Sequence, residues 1–403
     1  MLFFTERQFM NKRQLAGFFF LLLALAFIRN PAFLLEPRIW AEEGTIYIQT
    51  YLERGFWGSL FLPHLGYYSF FNNVVVALGM SVFGLKWIAF SLSYASLIVM
   101  LLVLASPLFL TSSLWDTLEK KLLLIVFSLL IGTAEIWLNT VNMQFFLGLY
   151  SCYYLLSDNE KLRPLYLWIA RALLLTASLS GVTSVILLPF FLTKAWQSRR
   201  LKSHRTFTEV QISAAIVTFG FFVQILCYFF STNEYAFARL SPEFIKDLPA
   251  GLQRTFLFVF YGSSTILTKL TPLPFLFFGF ISCKNSLLAR YAFLLVLYVA
   301  FVFTILSIGM LGGERYGYIV SVLLVLLLLN GVFATEKITR ILSYGFLLIF
   351  LIHKAEYFLH TDLYYDKSWN SYSSEYSRFL AGETSELQIF PQWPNTDWKI
   401  VVP

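Results

Sequence analysis

Charge is scarce in this chain: Asp, Glu, Lys and Arg make up 13% of its 403 residues, about half of what a soluble domain carries. Cysteine numbers three and histidine four. Cys152, Cys227 and Cys283 all fall within apolar runs, which reads as small packing residues rather than a disulfide framework or a thiolate metal site. No P-loop, G-x-G-x-x-G, H-E-x-x-H or serine-nucleophile motif occurs, so nucleotide-driven chemistry is not expected. No internal repeat is visible either, which argues against transporters built from inverted halves.

What fills the chain instead is apolar. Hydrophobic residues make up 58%, with 44 phenylalanines, and the mean hydropathy is +0.68. Such a balance belongs to a polytopic membrane protein. The net charge of +7 reflects short basic loops of the kind that stay in the cytoplasm, and nucleic acid is not an expected partner. At the N-terminus, Arg7, Lys12 and Arg13 precede a short apolar stretch containing Ala24-Leu25-Ala26. That pattern fits a signal peptide or an uncleaved anchor; the many later spans favour the anchor.

Apolar runs recur near residues 14–30, 70–84, 87–106, 121–138, 141–157, 164–180, 181–193, 208–230, 255–283, 288–309, 317–334 and 341–357. Lys194, Arg199, Arg200, Lys202 and Arg205 mark one cytoplasmic loop. With the N-terminus inside, the Glu42–Glu43 loop lies outside, and an odd number of crossings must separate it from Lys194. Parity is met if 70–84, interrupted by Asn72 and Asn73, lies along the outer interface, with 164–180 and 181–193 kept as separate crossings. The expected fold is an all-α polytopic membrane protein of about eleven transmembrane helices, with interfacial juxtamembrane helices in the first outer loop. The membrane domain then covers 1–358, with outer loops 31–85 and 231–270, and a polar, aromatic outer tail covers 359–403.

This topology gathers the chemistry-bearing residues on one face. Glu42 and Glu43 stand side by side about a dozen residues past the first span, flanked by Trp40 and Tyr47, and the following GTIYIQTYLERGFWGS reads as an amphipathic interfacial helix. An ion pair with Arg38 or Arg54 is the plain explanation of the pair. A partly desolvated carboxylate there would also serve as a general base. Glu135, Asn139 and Asn142 are spaced to share one helix face if the helix continues, with Gln144 beyond them. They are either a polar glue between helices or a site. Arg315, opening a late span before Tyr316, has the donor fork for a phosphate, or a pairing role with Glu314. Arg239, Lys246, Arg254 and Lys269 surround the 231–270 region on the outer side, where anions would be drawn. His64 and Tyr67, in FLPHLGYY, complete the candidates, although a lone interfacial histidine is more often structural.

The order of these features, W-A-E-E-G-T (40–45), G-Y-Y (66–68), F-G-L-K (83–86), E-x-x-x-N-x-x-N (135–142), S-x-S-G (178–181) and E-R-Y (314–316), resembles the GT-C superfamily of integral membrane glycosyltransferases. In particular it resembles the bacterial Gtr-type enzymes that decorate O-antigen or other surface glycans. The first-loop pair of such enzymes is often Asp-Asp, Asp-Glu or Glu-Asp; here it is Glu-Glu. The resemblance implies a polyprenyl-phosphate-sugar donor, glucose in particular, a surface-glycan acceptor and an inverting transfer at the periplasmic face of the inner membrane. It implies catalytic roles for Glu42 or Glu43 and for Glu135, and a charge-offsetting role for Arg315 toward the lipid phosphate. Two glutamates without a further acidic cluster make a weak case for a divalent metal, so no cofactor is expected. The rival readings are a polysaccharide polymerase and a lipid-linked sugar flippase.

Overall fold

The computed structural model describes residues 12–159, 162–199, 204–230, 277, 286–307, 314–359, 370–391 and 397–402. Helix α1 (Lys12–Arg29) runs into a short α2 (Pro31–Leu35), the break falling at Asn30 with proline at the first position of the new helix. A π-helical stretch (Glu43–Ile48) follows and continues as α3 (Gln49–Leu60). A two-stranded hairpin, β1 (Pro63–His64) and β2 (Tyr67–Tyr68), closes through Leu65 and Gly66, both at positive φ, the geometry a tight two-residue hairpin requires.

The long α4 (Phe70–Phe109) is broken at Gly84, whose φ of 64° and ψ of −175° no helix contains. The expected boundary between 70–84 and 87–106 therefore exists. The expected interruption at Asn72–Asn73 does not: both amides are fully buried inside a continuous helix. Helix α5 (Leu118–Ile131), capped by Thr117 and stopped by Gly132, ends well before Glu135. The run 141–157 yields only α6 (Met143–Leu155), and every one of its residues is buried. Helix α7 (Pro164–Leu179) stops at Ser180–Gly181, and the run 181–193 is divided between α8 (Val182–Val185) and α9 (Leu188–Ser198). Helices α10 (His204–Phe229), α11 (Leu287–Ser307), α12 (Glu314–Val332) and α13 (Lys337–Leu359) complete the bundle.

At the centre α12 packs against α5, α6, α11 and α13, while α6 lies against α4, α7 and α8. Helices in lipid approach through small residues. Gly148 of α6 meets Thr183 and Ile319 so closely that a Cβ there would stand 2.8–2.9 Å from their side chains. The outward faces of α4, α10 and α13 expose Val82, Phe83, Ile98, Phe219, Phe222, Phe229, Leu348 and Ile352. That distribution suits a lipid surround. Among the described residues four helices are long and apolar enough to cross a membrane: 70–109, 206–229, 287–306 and 315–332. The chain is an all-α membrane protein.

The C-terminal region is more than a polar tail. Helix α14 (Tyr372–Leu380) and a hairpin of β3 (Glu386–Gln388) and β4 (Lys399–Val401) pack onto the first loop. Ala41 donates its N–H to the Phe390 carbonyl, and Phe390 donates to Ile39 at 3.1 Å. Ile389 and Ile400 bury themselves with Ile39, Tyr47 and Ile48.

Candidate functional site

Two acids adjacent in sequence occupy different surroundings. Glu43 is 1% exposed and Glu42 half-buried. One Glu43 oxygen accepts the Trp40 N–H at 2.9 Å; the other accepts both the N–H of Thr140 and its hydroxyl, the latter at 2.6 Å. The same Thr140 hydroxyl lies within hydrogen-bond distance of Asn72 Oδ1. One hydroxyl proton cannot serve two acceptors. The three groups are satisfied either by a proton on Glu43, which then donates to Thr140 as Thr140 donates to Asn72, or by the Asn72 amide turned so that its N–H₂ donates to Thr140 and Thr140 to Glu43. Burial pushes the Glu43 carboxyl up from its ordinary 4.5 to about 7, against the opposing effect of its hydrogen bonds and with a small push from Glu42.

Glu135 lies beyond the end of α5, in the short 3₁₀ turn Ala134–Ile136 rather than on a continuing α-helix. The expectation that Glu135, Asn139 and Asn142 share a helix face is corrected: Leu138 takes positive φ (52°) between them and turns the chain. The three still converge. Asn139 and Asn142 both donate their side-chain amides to the Glu135 carbonyl, at 2.7 and 2.9 Å, and Asn142 N–H donates to Asn139 Oδ1 at 2.9 Å. Below this knot the Arg29 guanidinium lies 4.0 Å over the Trp137 ring and 4.8 Å over Phe358, a cation–π seat joining α1, the loop and α13.

Arg315, at the start of α12, reaches into the same place. Its guanidinium pairs with Glu135 at 2.6 Å, both side chains largely buried, and donates to Asn142 Oδ1 at 3.5 Å. It also lies over the Tyr316 ring at 5.4 Å. Tyr316 in turn packs edge-on against Phe145 and Phe303, so the anchor of the arginine is an aromatic core.

Tyr67 closes the group. Its phenol hydrogen-bonds with Gln144 and feels the charges of Glu42 and Arg315; burial above all, with a push from Glu42, holds it protonated up to about 12. Its cross-strand partner His64 packs edge-on against Tyr47 at 5.8 Å. Burial lowers the histidine's proton affinity, leaving a neutral imidazole at pH 7. Arg315 and Tyr67 both feel the charge of Glu42. The first loop, the 134–142 loop and the head of α12 thus meet around Tyr67. Arg239 and Arg254 lie outside the described residues.

Several participants carried little signal. Thr140 is 97 residues from the Glu43 it binds, and Asn72 read as a helix interruption. Gln144 and Gln224 are single amides in apolar runs, a pattern that marks interhelical hydrogen bonds only in general. Glu209 pairs with Arg171 at 2.6 Å between α7 and α10, two charges that stand singly in apolar runs. Among the described residues no three His, Cys, Asp or Glu side chains gather as a metal-holding group.

The fold defines the class, a helical membrane protein with an acid–arginine cluster between loops. No protein-family model, curated protein or solved structure matches the chain.

Proposed function

We propose that the chain is a membrane glycosyltransferase that moves a sugar, glucose in the first instance, from a polyprenyl phosphate to a surface glycan. The observation that carries this reading is the largely buried Arg315–Glu135 pair at 2.6 Å, which joins the head of α12 to the 134–142 segment that Thr140 ties to the acidic first loop through Glu43. In this reading Glu42 is the general base, because both oxygens of Glu43 are already engaged by Trp40 and Thr140 while Glu42 remains half-open. Glu42 takes the proton of an acceptor hydroxyl as its oxygen attacks the anomeric carbon. The bond from that carbon to the phosphate oxygen breaks on the opposite side, and the electron pair leaves with the polyprenyl phosphate. Arg315 offsets the phosphate charge and Glu135 holds the arginine in place. The configuration inverts. The arrangement goes with about eleven crossings, a cytoplasmic N-terminus and a site on the periplasmic face of a bacterial inner membrane.

The test is transfer of labelled glucose from polyprenyl-phosphate glucose to glycan in membranes. Glu42→Gln is expected to lose on the order of 10²–10⁴-fold in rate, the usual worth of a general base. Glu135→Gln is expected to lose transfer through a misplaced Arg315. Full activity in both variants would refute the mechanism; no transfer by the wild-type protein would refute the donor class and favour a flippase.

A further inference from the structure

Helix α10 runs along the bundle with aromatic side chains turned outward, yet one of its residues reaches inward. Gln224 is 4% exposed, and its amide grips both backbone polar groups of one residue, Tyr68. Its Oε1 accepts the Tyr68 N–H at 2.8 Å and its Nε2 donates to the Tyr68 carbonyl at 3.0 Å. Strand β2 has its partner β1 on one edge only. On the other edge the Gln224 amide does what a third strand would do, offering one acceptor and one donor.

The clamp is braced by the surrounding chain. Gly220, one turn before Gln224, brings α10 against the end of α7: a Cβ there would stand 2.5 Å from the Ser178 Cβ and 2.7 Å from its carbonyl oxygen. The Gln224 amide also lies 3.5 Å from that carbonyl. Ser180, next along, bridges to Ser69 and accepts the Phe71 N–H at 3.0 Å. The backbone of Tyr68 is therefore fixed by α7 and α10 together, while the Tyr67 phenol, on the preceding residue, lies close enough to Glu42 and Arg315 to feel their charges.

We propose that Gln224 is a positioning residue, acting through the Tyr68 backbone to set where the Tyr67 phenol stands relative to the Arg315–Glu135 pair. The consequence for transfer rests on the glycosyltransferase reading; the effect on Tyr67 does not. Gln224→Met keeps the volume and length of the side chain and removes both hydrogen bonds. Gln224→Glu keeps an acceptor, and when protonated it regains a donor, so it imitates the amide better as pH falls.

Two readouts separate the outcomes. The ¹⁹F resonance of 3-fluorotyrosine placed at position 67, in full-length protein purified in detergent, reports the phenol directly. Gln224→Met is expected to shift or broaden it, and Gln224→Glu to return toward wild type at acidic pH. In membranes, Gln224→Met is expected to lower kcat on the order of 10- to 100-fold, as displacement of a reacting group by about 1 Å does, with the smaller part of the change in KM. An unchanged resonance in folded Gln224→Met protein would overturn the proposal. A shifted resonance with no transfer even by the wild-type protein would uphold the positioning of Tyr67 and remove the enzyme reading instead.

Discussion

If Glu43 holds its proton to about pH 7 in the folded protein and to 4.5 in the unfolded chain, folding takes up a proton between those values. Stability is then greatest below pH 4.5 so far as this group is concerned, falls as pH rises through the window, and levels off above about 7. A tenfold change in proton affinity is worth about 1.36 kcal/mol, so the whole window amounts to about 3 kcal/mol. Glu43→Gln removes the titration. It also leaves one amide N–H₂ facing either Trp40 N–H or Thr140 N–H, both of which need an acceptor, at a cost of about 1–3 kcal/mol. The expected result is a variant of lower stability at pH 5 whose stability curve is flat from pH 5 to 8, crossing toward the wild type at the alkaline end. Thermal unfolding in detergent at pH steps of half a unit measures it. Parallel curves for wild type and variant across that window would refute the assignment of a neutral, proton-sharing Glu43.

The Arg315–Glu135 pair separates structure from chemistry. Arg315→Met alone strands a buried carboxylate and is expected to destabilise by about 3–5 kcal/mol, while the double variant Arg315→Met/Glu135→Leu regains most of that by thermal unfolding, without regaining transfer. Recovery of transfer in the double variant would remove Arg315 from the chemistry. Gly181→Ala places a methyl group against Gln144 Oε1 at a φ of +120°; overpacking of this kind costs about 1–3 kcal/mol, and transfer is expected to fall because Gln144 is the hydrogen-bond partner of Tyr67. Gly44→Ala drives a methyl group into Ile389 and stands 3.2 Å from Ile39 and Ile400, so limited proteolysis is expected to cut the 386–401 hairpin faster than in wild type.

Much of the architecture was legible because lipid imposes a simple rule on composition. The apolar runs, the break at Gly84 and the break at Gly181 all follow from what a helix in a membrane tolerates. Asn72 and Asn73 misled the reading because an amide is costly in lipid but inexpensive in a polar core, and sequence does not say which side of a helix meets which. The 134–142 segment keeps Glu135, Asn139 and Asn142 together although it is no continuous α-helix: Asn139 and Asn142 find Glu135 by wrapping around its carbonyl, and an i, i+4, i+7 spacing does not distinguish that from a helical face. The Glu43–Thr140 and Gln224–Tyr68 contacts span 97 and 156 residues. Pairings at that separation are set by tertiary packing, and local pattern carries no trace of them.

The adjacency of two like charges, the oddest feature of the first loop, follows from the same geometry. Neighbouring residues on a helical path point in different directions, and here Glu43 is turned inward and buried while Glu42 stays half-buried. The inner carboxyl, Glu43, ties the first loop to Thr140 and thereby to the loop that carries Glu135. The outer one, Glu42, is held where Arg315 and Tyr67 feel its charge. In the proposed transfer the anchor's oxygens are already occupied by Trp40 and Thr140, so the acceptor hydroxyl is left to its half-buried neighbour. Two acids in succession divide those tasks.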